Sequence, residues 1–258
     1  MNVYGIQYDI VWEDKTANFE KIRSLLKPVE IEPGSLIVLS EMFASGFSMN
    51  VAEICEGETR ESAAFLAELA KTYRCTVVGG LVMQTAAARG RNQALVVDPD
   101  GRECARYCKL HPFTFGGEAE QYEAGNEIVT FRWHDFTVAP FICYDLRFPE
   151  VFRCAVLKGV ELYVVIACWP DAREEHWMTL LKARAIENQA YVVGVNRCGT
   201  DPKLAYSGRS MIFDPRGNLL ADGANEEEII CAELDRAMLL QYRCEFPVLK
   251  DMRGEMLE

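Results

Sequence analysis

The chain has 258 residues, half of them apolar and about a quarter charged, which is ordinary globular composition and excludes disordered, collagenous and low-complexity classes. There are 27 Lys and Arg against 39 Asp and Glu, a net charge of −12. A surface this acidic repels phosphate backbones and acidic membranes, so neither nucleic acid nor membrane partners are expected.

At roughly 150 residues per domain the length fits a single α/β domain over 1–258, and no Ser/Pro-rich linker divides it. The longest apolar run, Leu162 to Trp169, has eight residues, far below the ~18 needed to span a bilayer. The start, Met-Asn-Val-Tyr-Gly, carries no secretory pattern. The ten cysteines are therefore expected as reduced thiols in the cytoplasm. They are scattered, with no Cys-x-x-Cys. With only His111, His134 and His176 beside them, no zinc-type spacing can be assembled. Most should be small buried hydrophobes.

In chain order, Val3 to Tyr8 reads as a short strand. A helix follows, with Phe19, Ile22, Leu25 and Leu26 at helical spacing, and Pro28 ends it. Leu36 to Leu39 is fully apolar, as a buried strand should be, and stops at Ser40-Glu41. Thr59 to Tyr73 is a second helix with Phe65, Leu66, Leu69 and Ala70 on one face, and Thr59 is its expected N-cap. Cys75 to Met83 is a strand, and Gly79-Gly80 inside it suggests a bulge or a close backbone approach. The sequences Asp98-Pro99-Asp100-Gly101 and Asp214-Pro215-Arg216-Gly217 each join two apolar runs. Pro at the second position and Gly at the fourth fit type I turns, so both are expected hairpins.

Glu103 to Cys108 and Phe136 to Cys143 are strands. Pro149 to Lys158 is a helix with Pro in its first turn. Leu162 to Cys168 is a buried strand, Arg173 to Gln189 a helix, Ala190 to Asn196 a buried strand and Ile229 to Leu234 the last strand. From Arg236 a short helix runs into a polar tail. The alternation predicts layered sheets and helices in one α/β unit.

Three chemically capable residues stand just past expected strands: Glu41, Lys109 and Cys143. The carboxyl ends of strands are where α/β sites gather. Singly, each has a bland reading. Glu and Lys are mostly solvated, and a Cys after an apolar run is usually core. Together they supply nucleophile, base and oxyanion stabiliser for covalent acyl transfer.

The strings Leu-Ser-Glu41-Met-Phe-Ala-Ser-Gly-Phe-Ser, Tyr-Cys-Lys109-Leu-His-Pro-Phe and Phe-Ile-Cys143-Tyr-Asp-Leu-Arg-Phe-Pro-Glu resemble the three signatures of the nitrilase superfamily, whose members hydrolyse non-peptide carbon–nitrogen bonds. The resemblance spans nearly the whole chain. Trp169-Pro170-Asp-Ala-Arg173-Glu-Glu-His176-Trp177, Arg184-Ala-Ile-Glu187-Asn188-Gln189 and Gly-Val-Asn196-Arg further resemble the ω-amidase branch, which acts on open-chain 2-oxo acid amides. This chain has Cys168 where Asn is expected before Trp-Pro.

The resemblance implies a four-layer α-β-β-α sandwich, a homodimer paired through the helical face after Cys143, and no cofactor or metal. It implies a catalytic set of Glu41, Lys109 and Cys143, with a second glutamate supporting the lysine. Spacing to Gly125 favours Glu118 over Glu120. It also implies 2-oxoglutaramate and 2-oxosuccinamate as small-molecule amide substrates. The backbone N–H of Tyr144 would serve the oxyanion. Phe43, Phe113, Tyr144 and Trp169 lie beside the catalytic strings and are expected to wall the pocket. A cation is needed for the substrate carboxylate. Arg173 is the first candidate; Arg147 is the other, with burial in an ion pair to Glu187 or Glu150 as its competing role. Other amidases or carbamoylases of the superfamily, a catalytically silent binding module, and a redox sensor built on Cys143 remain as alternatives. The absence of a Cys-x-x-Cys partner counts against the last.

Overall fold

A computed structural model describes residues 1–256. In its first half, β1 (Asn2–Gln7), α1 (Lys15–Leu26), β2 (Leu36–Val38), α2 (Val51–Ile54), α3 (Glu61–Tyr73), β3 (Thr76–Gln84), β4 (Gly90–Val97), β5 (Glu103–Cys108) and α4 (Glu118–Gln121) follow one another. The second half runs β6 (Phe131–Trp133), β7 (Phe136–Ile142), α5 (Pro149–Leu157), β8 (Leu162–Ala167), α6 (Glu174–Asn188) and β9 (Tyr191–Asn196). It continues with β10 (Cys198–Thr200), β11 (Ala205–Ser207), β12 (Met211–Phe213), β13 (Leu219–Asp222), β14 (Glu228–Glu233) and α7 (Arg236–Glu245).

Two six-stranded sheets result, ordered β14-β1-β2-β3-β4-β5 and β13-β12-β9-β8-β7-β6. Each has a parallel centre, β1-β2-β3 in one and β7-β8-β9 in the other. The outer strands add antiparallel. Both Asp-Pro-x-Gly turns are hairpins: Gly101 N–H donates to Asp98 O at 2.8 Å and Gly217 N–H to Asp214 O at 2.9 Å.

Strand alternation builds the layers. In the first sheet Val3, Leu36, Val38, Val78, Ala94 and Val96 face the second sheet in one core. Their neighbours Tyr4, Ile37, Val77 and Leu95 face Phe19, Ile22, Phe65 and Leu66 of α1 and α3. In the second sheet β8 is buried at every residue, as expected of a strand covered on both faces. Fully burying one such Val, Ile or Leu side chain stabilises the fold by roughly 1.5–3 kcal/mol. Helices α5 and α6 cover its far side. A Cβ at Gly194 would meet Leu181 at 2.4 Å and Trp177 at 2.9 Å, so glycine sets how closely α6 lies on β9. The four-layer α-β-β-α sandwich is thus present.

Two local expectations change. Thr59 does not cap α3. The buried Glu56 carboxylate does, accepting from Ser62 N–H at 3.3 Å and Ala63 N–H at 3.1 Å. A carboxylate there also offsets the positive end of the helix. The Leu36–Leu39 run is a regular strand only to Val38, though Leu39 N–H still donates to Val78 O on β3 at 2.8 Å before the chain turns to Glu41. Among the described residues no helix is long and apolar enough to cross a membrane.

Candidate active site

The sheets place four strand ends around one point. Past β2, the backbone of Glu41 rests against β3: Gly80 N–H donates to Ser40 O at 3.1 Å and Phe43 N–H to Gly80 O at 3.1 Å. Met42 then takes a left-handed backbone, φ 44°. Lys109 follows β5, and its N–H donates to Asn92 O on β4 at 2.9 Å. Cys143 follows β7 and is itself left-handed, φ 47°. Such a conformation is strained for a non-glycine residue and gathers at functional positions. It opens a 3₁₀ turn over Cys143–Arg147. Asp145 pins that turn, its Oδ2 accepting from Ile142 N–H at 3.0 Å and Tyr107 Oη–H at 2.7 Å. Its Oδ1 accepts from His111 N–H at 3.0 Å.

Glu41, Lys109 and Glu118 form one buried cluster, each at most 1% exposed. Lys109 Nζ donates to Glu41 Oε1 at 2.9 Å and Glu118 Oε2 at 2.8 Å. Burial works against the ammonium, yet the Glu118 and Glu41 carboxylates outweigh it and hold its pKa well above the ordinary value. Asn92 ties the carboxylates together, its Nδ2 donating to Glu41 Oε1 at 2.7 Å and Glu118 Oε1 at 2.9 Å. Phe113 N–H adds a 2.6 Å bond to Glu118 Oε2. The other Glu41 oxygen, Oε2, accepts from Cys168 N–H at 2.8 Å.

Cys143 stands beside this cluster. Burial, then the Glu41 carboxylate, pushes its thiol pKa well up, against a downward pull from Lys109. The resting group is therefore a thiol, which needs a base to become a nucleophile.

The thiol opens on a narrow cleft lined by Phe47, Phe113, Tyr144, Arg147, Trp169 and Arg173, with Cys168, Tyr206 and Leu204 at its sides. Of the expected wall, Phe113, Tyr144 and Trp169 are there, and so is Arg173. Phe43 is not. It is fully buried in the helix-side core, its ring 5.9 Å from that of Phe65. The turn after Glu41 sends it outward and gives the wall position to Phe47, over which Lys109 Nζ lies at 5.2 Å. Arg147 forms no pair with Glu187 or Glu150. Glu187 is taken by Arg184 at 3.0 Å. Arg147 instead lies 4.6 Å over the Trp169 ring with both terminal nitrogens 3.2 Å from His176 Nδ1.

Sequence reasoning did not single out Asn92 or Asp145, and named Asn196 only within a motif string. Asn196 Oδ1 accepts Trp169 N–H at 2.7 Å and so fixes the chain after β8. The available signal for Asn92 and Asn196 was a polar residue within or ending a largely buried strand, whereas Asp145 lies in the 3₁₀ turn past β7.

The geometry matches known proteins. The family model described as carbon-nitrogen hydrolase matches residues 4–243. An omega-amidase, YafV of Yersinia enterocolitica, is 40% identical, covering 95% of this chain and 94% of the relative. A 2-oxoglutaramate amidase of Bacillus subtilis is 32% identical over 97% of both chains. The crystal structure of XC1258 from Xanthomonas campestris, a CN-hydrolase superfamily protein with an arsenic adduct in its active site, superposes with a TM-score of 0.91. It is 32% identical and covers 98% of this chain and 97% of that one. With this match and the three strand-end signatures, the chain belongs to the carbon-nitrogen hydrolase family, within the nitrilase superfamily.

Proposed function

We propose that this protein is an ω-amidase, one hydrolase unit over 1–258 that cleaves the terminal amide of small 2-oxo acid amides to a 2-oxo dicarboxylate and ammonia. The observation that carries the substrate class is the pair Arg147 and Arg173. Both line the apolar cleft beside Cys143, and neither makes an ion pair among the described residues; their guanidiniums lie on Trp169 and Phe113. Half-buried arginines without a carboxylate are costly unless an anion arrives. A neutral amide supplies none. A 2-oxo acid amide supplies one at the end away from the scissile bond.

The mechanism follows from the proton inventory. Glu41 Oε2 has one protein donor, Cys168 N–H, and room for a second. It takes the Cys143 thiol proton as Sγ attacks the amide carbon. Lys109 and the Tyr144 N–H stabilise the oxyanion, one such donor being worth about 3–4 kcal/mol of barrier. Glu41 passes its proton to the departing ammonia, then deprotonates the water that hydrolyses the Cys143 thioester. Glu118 and Asn92 hold Lys109 and Glu41 in place without touching the reacting atoms. The resemblance further supports a cytoplasmic homodimer paired through α5 and α6, where Leu157 and Ile186 are exposed. A sedimentation mass near that of one chain at micromolar concentration would count against the dimer.

The test is ammonia release from 2-oxoglutaramate and 2-oxosuccinamate, beside aliphatic amides and an N-carbamoyl amino acid, with Cys143→Ala as control. Fast release from the 2-oxo acid amides alone, lost in the variant, is the expected result. Release only from another substrate moves the branch. No release from any, by a folded protein, leaves a binding module.

A further inference from the structure

Ten cysteines are scattered along the chain, but among the described residues only Cys143 and Cys168 line the cleft. They immediately follow neighbouring parallel strands, β7 and β8, whose register sets Ile142 opposite Ile166. Continued one step, that register sets Cys143 opposite Ala167, with Cys168 one residue further. Were that spacing to continue past the strand ends, at ~4.8 Å between strands and ~3.3 Å rise per residue, the two Cα atoms would lie about 5.8 Å apart. A disulfide bridges Cα atoms ~4.4–6.8 Å apart. Strict alternation would send the two side chains to opposite faces. The left-handed backbone at Cys143 breaks the alternation and turns its thiol over β8, where Sγ lies 3.9 Å from Cys168 O. Glu41 is bonded twice to Cys168. Its backbone O accepts the Cys168 S–H at 3.2 Å, and its Oε2 accepts the Cys168 N–H.

We propose that Cys168 is a resolving thiol for Cys143, so that the cleft is a site of reversible oxidation by small hydroperoxides. This rests on reading Cys143 as the reactive nucleophile. In the first step Glu41 takes the Cys143 proton, Sγ attacks a peroxide oxygen and the O–O bond breaks. With hydrogen peroxide, the hydroxide leaves as water carrying the proton from Glu41, and Cys143 becomes a sulfenic acid. In the second step Cys168 Sγ attacks the sulfenic sulfur. The S–S bond forms, the S–O bond breaks, and the hydroxide leaves as water with the Cys168 proton. Two thiols and one hydrogen peroxide give one disulfide and two waters. The disulfide occupies the nucleophile and blocks hydrolysis. It also holds Cys143 short of the sulfinic acid, from which thiols do not recover it. Sequence spacing could not find this partner, because the pair is 25 residues apart in the chain and is assembled by the sheet.

The experiment uses the full chain, exposed to hydrogen peroxide, then digested with trypsin without reduction. Cleavage separates 133–147, holding Cys143, from 159–173, holding Cys168. The expected product is these two peptides joined, two hydrogens lighter than their sum. Activity should fall with the joining and return largely with dithiothreitol. Cys168→Ala and Cys168→Ser, each compared with its own untreated activity, should recover less than about a tenth and carry a Cys143 sulfinate. The serine keeps a donor to Glu41 O, so agreement of both variants removes packing as the cause. A sulfinate on wild-type Cys143 with Cys168 free overturns the proposal. So does equal dithiothreitol recovery in wild type and variants, or a Cys143 that resists peroxide. Joined peptides from a protein that releases no ammonia would uphold the thiol pair and sink the amidase reading.

Discussion

Gly80 lies directly against the backbone of Glu41: a Cβ on Gly80 would stand 2.7 Å from Glu41 Cα, with Met42 N at 2.6 Å and Ser40 O at 2.9 Å. These are main-chain atoms and cannot rotate away. Any side chain on Gly80 must displace the turn that carries Glu41. Gly80→Ala should cost about 1–3 kcal/mol of stability and lower kcat at least about tenfold, since an ångström of misplacement is costly to a base. Gly79 is the control. Its added Cβ would meet mainly Leu66 side-chain atoms, at 2.8 and 3.2 Å, which can rotate. Gly79→Ala should lose stability with a much smaller change in kcat. Urea midpoints and kcat measured on both variants check this; equal kcat losses would show that Gly80 does not set the Glu41 turn.

Among the described residues Lys109 is the only cation bonded to two buried carboxylates, Glu41 and Glu118. Removing it leaves uncompensated buried charge, a change that typically costs ~3–5 kcal/mol. Lys109→Met should therefore unfold at markedly lower urea and show no turnover. Adding Glu118→Gln removes one of the stranded charges. The double variant should regain part of the stability while turnover stays absent. The coupling between the two substitutions, read from a double-mutant cycle, should be large. Additive effects would mean that the triad is not electrostatically linked.

Much of this was legible in the sequence because strands end where hydrophobic runs end. Leu36–Val38, Val138–Ile142 and Leu162–Ala167 are apolar without interruption, so the polar residues past them stand at sheet ends and converge once the parallel strands align. Gly79-Gly80 signalled a close backbone approach, and the structure supplies the backbone approached. What was not legible depends on directions that spacing does not encode. Phe43 and Phe47 follow the left-handed Met42 and Gly46 respectively, and spacing does not encode which of them walls the cleft. The α3 cap comes from Glu56 and not Thr59, because a buried carboxylate several residues upstream can reach the same N–H groups. Asn92 looks like the middle of a polar run, Arg91-Asn92-Gln93, until its side chain is seen to bond both glutamates.

Buried thiols make stability fall in alkali. Burial raises the pKa of Cys108 and Cys198 to about 11 each, while an unfolded thiol titrates near ~8.5. Below that value both states are protonated and the stabilisation is fully present. Above it the unfolded chain releases protons first, so each further pH unit favours unfolding until the folded thiols ionise near 11. The Cys143 shift has the same sign. With the full linkage of the two thiols halved for their partial exposure, the melting temperature should decline by about 10 °C between pH 8.5 and 11. Cys108→Ser should flatten the decline, because serine does not titrate in that window. Melting curves across the range check it, and a rise with pH would contradict the sign.

Arg147 and Arg173 should set the preference for an anionic substrate. Burial, then the nearby Arg173 cation, pulls the Arg147 pKa below its ordinary value. An arriving carboxylate relieves both penalties. A hydrogen bond to a charged group is worth about 1.5–3 kcal/mol, so Arg147→Gln or Arg173→Gln should raise KM for 2-oxoglutaramate about 10- to 100-fold. A neutral aliphatic amide has nothing to place there, and its kcat/KM should change less than about threefold. If both arginines hold one carboxylate, the double variant will lose less than the sum of the single losses, because the second substitution removes a contact already weakened. Fully additive losses would assign the two cations to different substrate groups, one to the carboxylate and one to the 2-oxo oxygen. Equal losses on charged and neutral amides would mean that the arginines only hold Trp169 and Phe113 in place.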